Sequence, residues 1–320
     1  MIALYCEAHH PAADTPCAEC RRLQDYALAR LDRCPFGNAS GRQEEVGVAV
    51  EEARLTVGQL ETEFVAKQAQ LDGLRARLEA LRPGAVATAE LFNSLPYPDF
   101  HHGAEHFSLH NDKEYVSLKG TLKSADHEFK REDYLKFVQE YHEPDMTANF
   151  VVREGHTYMV GALARVNNNF GQLSPEAQEL AKAGQLMKNL DNPYYNNVSQ
   201  AVELVAAVDQ AIEMLGTVKP HQEPLAEIKP HACRGVGTVE VPRGTLWHEY
   251  ELDDTGHVKH ANIITPTAQN LRSINDDLRA MLPSVANLPR AEMADAMEKM
   301  IRSYDPYLSC AAHFLRIEEI

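Results

Sequence analysis

Cys6, Cys17, Cys20 and Cys34 open the chain, with His9 and His10 among them. A C-x-x-C pair with a further thiol and an imidazole nearby supplies four soft or borderline ligands, the donor set of a zinc or iron-sulfur site. Clustered cysteines in a chain without an evident secretory leader read as metal ligands ahead of disulfides. Cys17 and Cys20 form the single C-x-x-C pair, so zinc and iron-sulfur both stay open. Cys233 stands alone and reads as a small buried side chain. His102, His106 and His110 fall at i, i+4 and i+8, which would line one helical face, but Gly103 interrupts them and they read as surface histidines.

The elements that must carry these groups belong to a chain of 320 residues, long enough for one large domain or two modest ones. Its 47 acidic residues against 31 basic ones leave a net charge of -16. Such a balance repels nucleic acid and anionic membrane surfaces, so neither is expected as a partner. The most apolar helical run, Val198 to Leu215, is broken by Glu203, Asp209 and Glu213 and cannot lie in hydrocarbon. No basic segment followed by an apolar stretch and a cleavage site opens the chain, so a cytoplasmic protein is expected.

Three regions follow one another: a Cys/His-rich segment over 1–40, a long amphipathic or coiled-coil helix over 41–84, and a mixed domain over 85–320. In the second, Val50, Val57, Phe64, Leu71 and Leu78 occupy one heptad position, and Val46, Ala53, Leu60, Leu74 and Leu81 the other. Sustained a/d spacing predicts self-association through residues 46–81 or a long helix laid on its own third region. Arg82-Pro83-Gly84 reads as its stop. In the third region, Val116 to Gly120 and Thr157 to Val160 read as short strands. Ser174-Pro175-Glu176 places a hydroxyl cap before an N1 proline, so a helix is expected from there. Another is expected after Asn196, with Val198, Val202, Val205 and Val208 near one face. Thr245 to Leu252 and Val258 to Ile264 alternate around Asp253-Asp254-Thr255-Gly256 as a β-hairpin. A last helix, about Ala291 to Tyr304, carries Met293, Met297 and Met300 as core residues.

Met1-Ile2-Ala3-Leu4-Tyr5-Cys6 and Leu31-Asp32-Arg33-Cys34-Pro35-Phe36-Gly37 resemble the start of the nitrous-oxide-stimulated promoter protein family. A second resemblance covers most of the third region. Tyr158-Met159-Val160-Gly161-Ala162-Leu163-Ala164-Arg165-Val166-Asn167, Asn192-Pro193-Tyr194-Tyr195-Asn196-Asn197, Gly235-Val236-Gly237-Thr238-Val239-Glu240-Val241-Pro242-Arg243-Gly244, Thr265-Pro266-Thr267-Ala268-Gln269-Asn270 and Asp305-Pro306-Tyr307-Leu308-Ser309-Cys310-Ala311-Ala312-His313 are similar, in order, to motifs of nickel-iron hydrogenase large subunits. The resemblance implies an α+β fold: a hydrogenase large-subunit-like domain of helices and small antiparallel sheets, preceded by the long coiled-coil-like helix. It also implies strand or irregular structure around the three histidines.

In that family the activity is reversible H2 oxidation coupled to a soluble electron acceptor, at a nickel-iron centre whose iron carries cyanide and carbonyl. Arg243 and Thr267 match the two donors to the cyanides, roles suited to a guanidinium and to a hydroxyl. Pro242 and Pro266 match the wall around the cluster. Cys310 matches the cysteine that bridges the two metals, and with Arg243 it is the expected catalytic residue. His313 matches a closing histidine that binds magnesium or iron, and the implied partner is an iron-sulfur small subunit. Tyr307 stands where the family has the first cysteine of its C-terminal pair, and a phenol does not replace a soft thiolate on nickel. The family's R-x-C-G-x-C segment has no counterpart in these residues; Cys17 and Cys20 lack its arginine and glycine. The expectation is a hydrogenase-like protein with a defective nickel site. The alternatives are a non-catalytic scaffold or partner subunit, or a metal or redox-sensing module at Cys6, Cys17, Cys20 and Cys34.

Overall fold

The computed structural model describes residues 39–101, 103–115, 118–143, 148–219, 225–226 and 229–307, with side chains from Val48 onward. Cys6, Cys17, Cys20, Cys34, His102, Cys310 and His313 therefore lie outside the described residues. Chain contacts divide the protein into two units, one holding the long helix up to Gly73 and one beginning at Leu74.

Helix α1, Ala39–Ser94, runs for 56 residues and passes straight through Pro83. The expected stop at Arg82-Pro83-Gly84 is thus overridden. A proline in a helix interior removes one hydrogen bond and costs about 3 kcal/mol, so packing has to outweigh it. Arg82 Nε donates to Asp209 at 2.6 Å and its terminal nitrogen also binds Glu176. One turn on, Ala85 and Ala89 are buried in the helical core, with Val86 and Phe92 packed against it. These contacts hold the residues after Pro83 in helix. Before Gly73, Val50, Leu55, Phe64 and Val65 are exposed.

The second unit continues with β1 (Glu105–His106), β2 (Ser108–His110), β3 (Thr121–Lys123), β4 (Glu128–Phe129), β5 (Val138–His142), β6 (Asn149–Arg153) and β7 (Tyr158–Met159). Helices α2 (Ala162–Asn169), α3 (Pro175–Ala183) and α4 (Asn196–Thr217) follow. The chain then forms β8 (Cys233–Val241), β9 (Gly244–Leu252), β10 (Val258–Ile264), α5 (Pro266–Val285) and α6 (Arg290–Ser303). Among the described residues the strands make small sheets: β2-β3-β4, β5-β6 and β8-β9-β10 are antiparallel, while β1 and β7 pair in parallel. The architecture is α+β, as expected.

Helices α2 to α6 bury Leu163, Ala177, Val198, Val202, Val205, Ile274 and Met300 in one core. Met293 and Met297 flank it. The apolar runs at helical spacing dictate that packing. A second core is aromatic: Phe107, Phe129, Tyr134 and Trp247 gather under β9, with Tyr134 stacked 4.9 Å from Trp247. The expected hairpin is β9 and β10, and α3 starts at Pro175. Ser174, however, does not cap that helix; its hydroxyl donates to Asp209 at 2.7 Å. Leu118 to Gly120 form a bend rather than a strand, with pairing delayed to Thr121.

Two other expectations are corrected. Cys233 is exposed at the first residue of β8, where the sheet edge leaves it uncovered. His106 is buried on β1, because the strand's alternation turns it into the protein, and Asn167 donates to its Nδ1 at 3.2 Å.

Candidate functional site

Val241 pairs with Gly244, so Pro242 and Arg243 form the tip of a two-residue turn between β8 and β9. Gly244 has φ 134° and a Cβ there would fall 2.4 Å from Val160 Cγ2. Facing it, Gly161 has φ 124° and a Cβ would fall 3.3 Å from the Arg243 carbonyl oxygen. Two glycines thus let the start of α2 press directly on the arginine turn, a contact that side chains would forbid.

Arg165 of α2 fastens this junction. It is buried and donates to the carbonyls of Val241 at 2.8 Å and Pro242 at 3.0 Å. Its Nε and Nη2 also hold Glu203 of α4 at 2.6 and 2.7 Å, and its Nη1 also holds Glu240 of β8 at 3.0 Å. Burial opposes the charge, yet the two carboxylates outweigh it and hold the guanidinium above its ordinary pKa. Tyr115 donates to Glu203 at 2.6 Å, and burial raises its phenol well above the usual range. Thr245 and the Leu109 amide complete the shell of Glu240. Sequence reading missed this cluster. Its signals were a charged Arg165 inside an apolar helix and the Glu203 that interrupts an apolar run.

Opposite the turn, α5 begins with Pro266 buried at its first position and Thr265 Oγ1 accepting from the Ala268 amide. Asn270 clasps both the amide of Val160 at 2.9 Å and its carbonyl at 3.0 Å, tying α5 to the same junction. Thr267 is buried, and its hydroxyl oxygen accepts from the Tyr307 amide at 3.1 Å. Pro242, expected as wall, is exposed, and its contribution is the carbonyl that Arg165 binds.

Tyr307 is the shared neighbour of the two expected donors. The Arg243 guanidinium carbon lies 5.4 Å from its ring centroid. A terminal nitrogen of Arg243 also pairs with Asp305 at 3.5 Å, while Gln200 donates to the other oxygen of that carboxylate at 3.0 Å. The Tyr307 side chain is half-exposed, with its ring lying over a cation.

Donor chemistry at this place divides in two. The Arg243 Nε is buried with no hydrogen-bond partner among the described residues, which suits an acceptor ligand such as a metal-bound anion. The described residues do not fit the metal ions themselves: Tyr307 offers a phenol rather than a soft ligand, and no group of three or more His, Cys, Asp or Glu could hold an ion among them.

Residues 153–313 match the family described as Nickel-dependent hydrogenase, about half of the chain. The chain belongs to that family. Residues 1–48 match a second family, described as Nitrous oxide-stimulated promoter. The sulfhydrogenase 1 subunit alpha of Pyrococcus furiosus is 32% identical over 252 residues, 77% of this chain and 59% of that protein. The subunit beta of the NAD-reducing hydrogenase HoxS from Cupriavidus necator is 31% identical over 59% of this chain and 41% of its own length. The chain thus spans about half the length of these hydrogenase relatives. Among solved structures, an NAD+-reducing nickel-iron hydrogenase in the H2-reduced state superposes with TM-score 0.54 at 21% identity, over 79% of this chain and 60% of that one. A nickel-iron-selenium hydrogenase from Dm. baculatum superposes with TM-score 0.58 at 18% identity, over 77% and 60%. At these identities the likeness is one of fold. No helix among the described residues is long and apolar enough to cross a membrane.

Proposed function

We propose that this protein is a nickel-iron hydrogenase large-subunit-like chain that keeps the outer donors of the hydrogenase pocket and has a defective nickel site. The observation that supports this reading is the Tyr307 ring lying over Arg243, at the sequence position where the resemblance puts a nickel thiolate. In the inherited arrangement Arg243 and Thr267 would donate to the iron's cyanides, Pro242 and Pro266 would wall the cluster, Cys310 would bridge the metals and His313 would hold magnesium or iron. Full H2 oxidation would further need an iron-sulfur small subunit as electron partner. With a phenol in place of a soft ligand, the binding free energy of the metal set falls too far for tight nickel. The residues before the helix would form a separate zinc or iron-sulfur module through Cys6, Cys17, Cys20 and Cys34.

Elemental analysis and H2-dependent dye reduction test this on protein purified anaerobically from a host with hydrogenase maturation machinery. Nickel far below one per chain and no H2-dependent reduction are expected. Near-stoichiometric nickel would overturn the reading.

A second reading, a scaffold that self-associates through residues 46–81, is favoured by the exposure of Val50, Phe64, Leu74 and Leu81 along the heptad seam.

A further inference from the structure

We infer that the chain's own Asp305–Tyr307 segment closes over Arg243 and Thr267, with Tyr307 acting as a built-in anchor that fixes this segment without any metal. The inference rests on the reading of a defective nickel site and states what has taken the place of the ligand.

The segment is fixed at its root. Ser303, the last residue of α6, gives its carbonyl to Asn196 at 2.9 Å, and the buried Tyr304 hydroxyl donates to Asp277 at 2.6 Å. The chain then turns at Asp305 with φ 50°, a left-handed conformation that aspartate tolerates better than most residues. Both oxygens of its carboxylate are engaged, one by Arg243 and one by Gln200. The turn carries Tyr307 to two anchors on different elements. Its main-chain N–H reaches Thr267 at the start of α5, and its ring lies at 5.4 Å from the guanidinium carbon of the β8–β9 turn, inside the range of a cation–π contact.

Cysteine at position 307 would keep the N–H but offers no π face. The guanidinium would then lose one of its two described partners and stay free to reach another acceptor. Tyrosine keeps it occupied. The ring, not the main-chain bond, is what the family residue could not supply.

Amide exchange at position 307, followed by NMR on the metal-free full-length chain, tests the closure. Tyr307→Phe keeps ring and amide and should exchange like the native protein. Tyr307→Cys and Thr267→Val each remove one anchor and should exchange about tenfold faster, the effect of losing one ordinary contact. The Arg243 Nε–H resonance should move in Tyr307→Cys and stay in Tyr307→Phe, because only the former removes the ring current. Trp247 fluorescence reports whether each variant is folded; if Thr267→Val does not fold, the two Tyr307 variants decide, since that side chain is half-exposed. Native-like protection with an unmoved Arg243 resonance in Tyr307→Cys would overturn the inference. Equal loss in Tyr307→Phe and Tyr307→Cys would overturn it too. Nickel content of the native protein is a separate readout, so stoichiometric nickel beside a protected metal-free amide would sink the defective-site reading and leave the closure standing.

Discussion

His106 is inside the fold, on a two-residue strand, with Asn167 donating to its Nδ1. That bond demands an unprotonated nitrogen, and burial pushes the imidazole down to about 4 from an ordinary 6.5. The unfolded chain therefore binds a proton that the folded chain refuses between those two values. Stability from this group is complete above pH 6.5 and is lost as the pH falls toward 4, by on the order of 3 kcal/mol. We expect thermal unfolding of the native protein to shift down between pH 7 and 5, and His106→Gln to flatten that part of the profile. An unchanged slope in the variant would place the titration elsewhere. Arg243 and Tyr307 are the complementary case at the same scale. Neither is deeply buried, so their contact contributes no more than about 1 kcal/mol.

At the scale of elements, Arg165 joins α2 to α4, to β8 and to the turn that presents Arg243. Removing the guanidinium leaves Glu203 and Glu240 facing each other without a cation. Arg165→Met should cost about 3–5 kcal/mol, the penalty for breaking a buried ion pair from one side. Arg165→Met combined with Glu203→Gln and Glu240→Gln should recover part of that loss. Urea unfolding measures both, and a cost below 1 kcal/mol in the single variant would show that the cluster does not hold the turn. The continuation of α1 through Pro83 belongs to this scale as well. Local chemistry ends the helix there, whereas Ala85, Ala89 and Arg82 find partners on other elements that keep it going.

For the whole molecule, a net charge of -16 keeps copies apart at long range. Self-association would therefore have to come from the apolar seam. If it operates, light scattering at moderate salt should give a mass above one chain, reduced to one chain by Leu71→Asp or Leu74→Asp. A native mass of one chain would remove the scaffold reading in its self-associating form.

Sequence alone determined what depends on neighbours a few residues apart: the run of α4, the hairpin of β9 and β10, the proline start of α3, and the ordered motifs that name the family. Backbone hydrogen bonds of helices and hairpins are local, so their periods and turn residues are written along the chain. The tertiary structure alone decided that Cys233 is exposed, that His106 is inside, and that Arg165 spends two hydrogen bonds on carbonyls 76 and 77 residues away. It alone brought Tyr307 to Thr267, 40 residues distant, and laid its ring over Arg243. Such pairings are set by how elements pack, and no local propensity encodes which polar group will be left facing which.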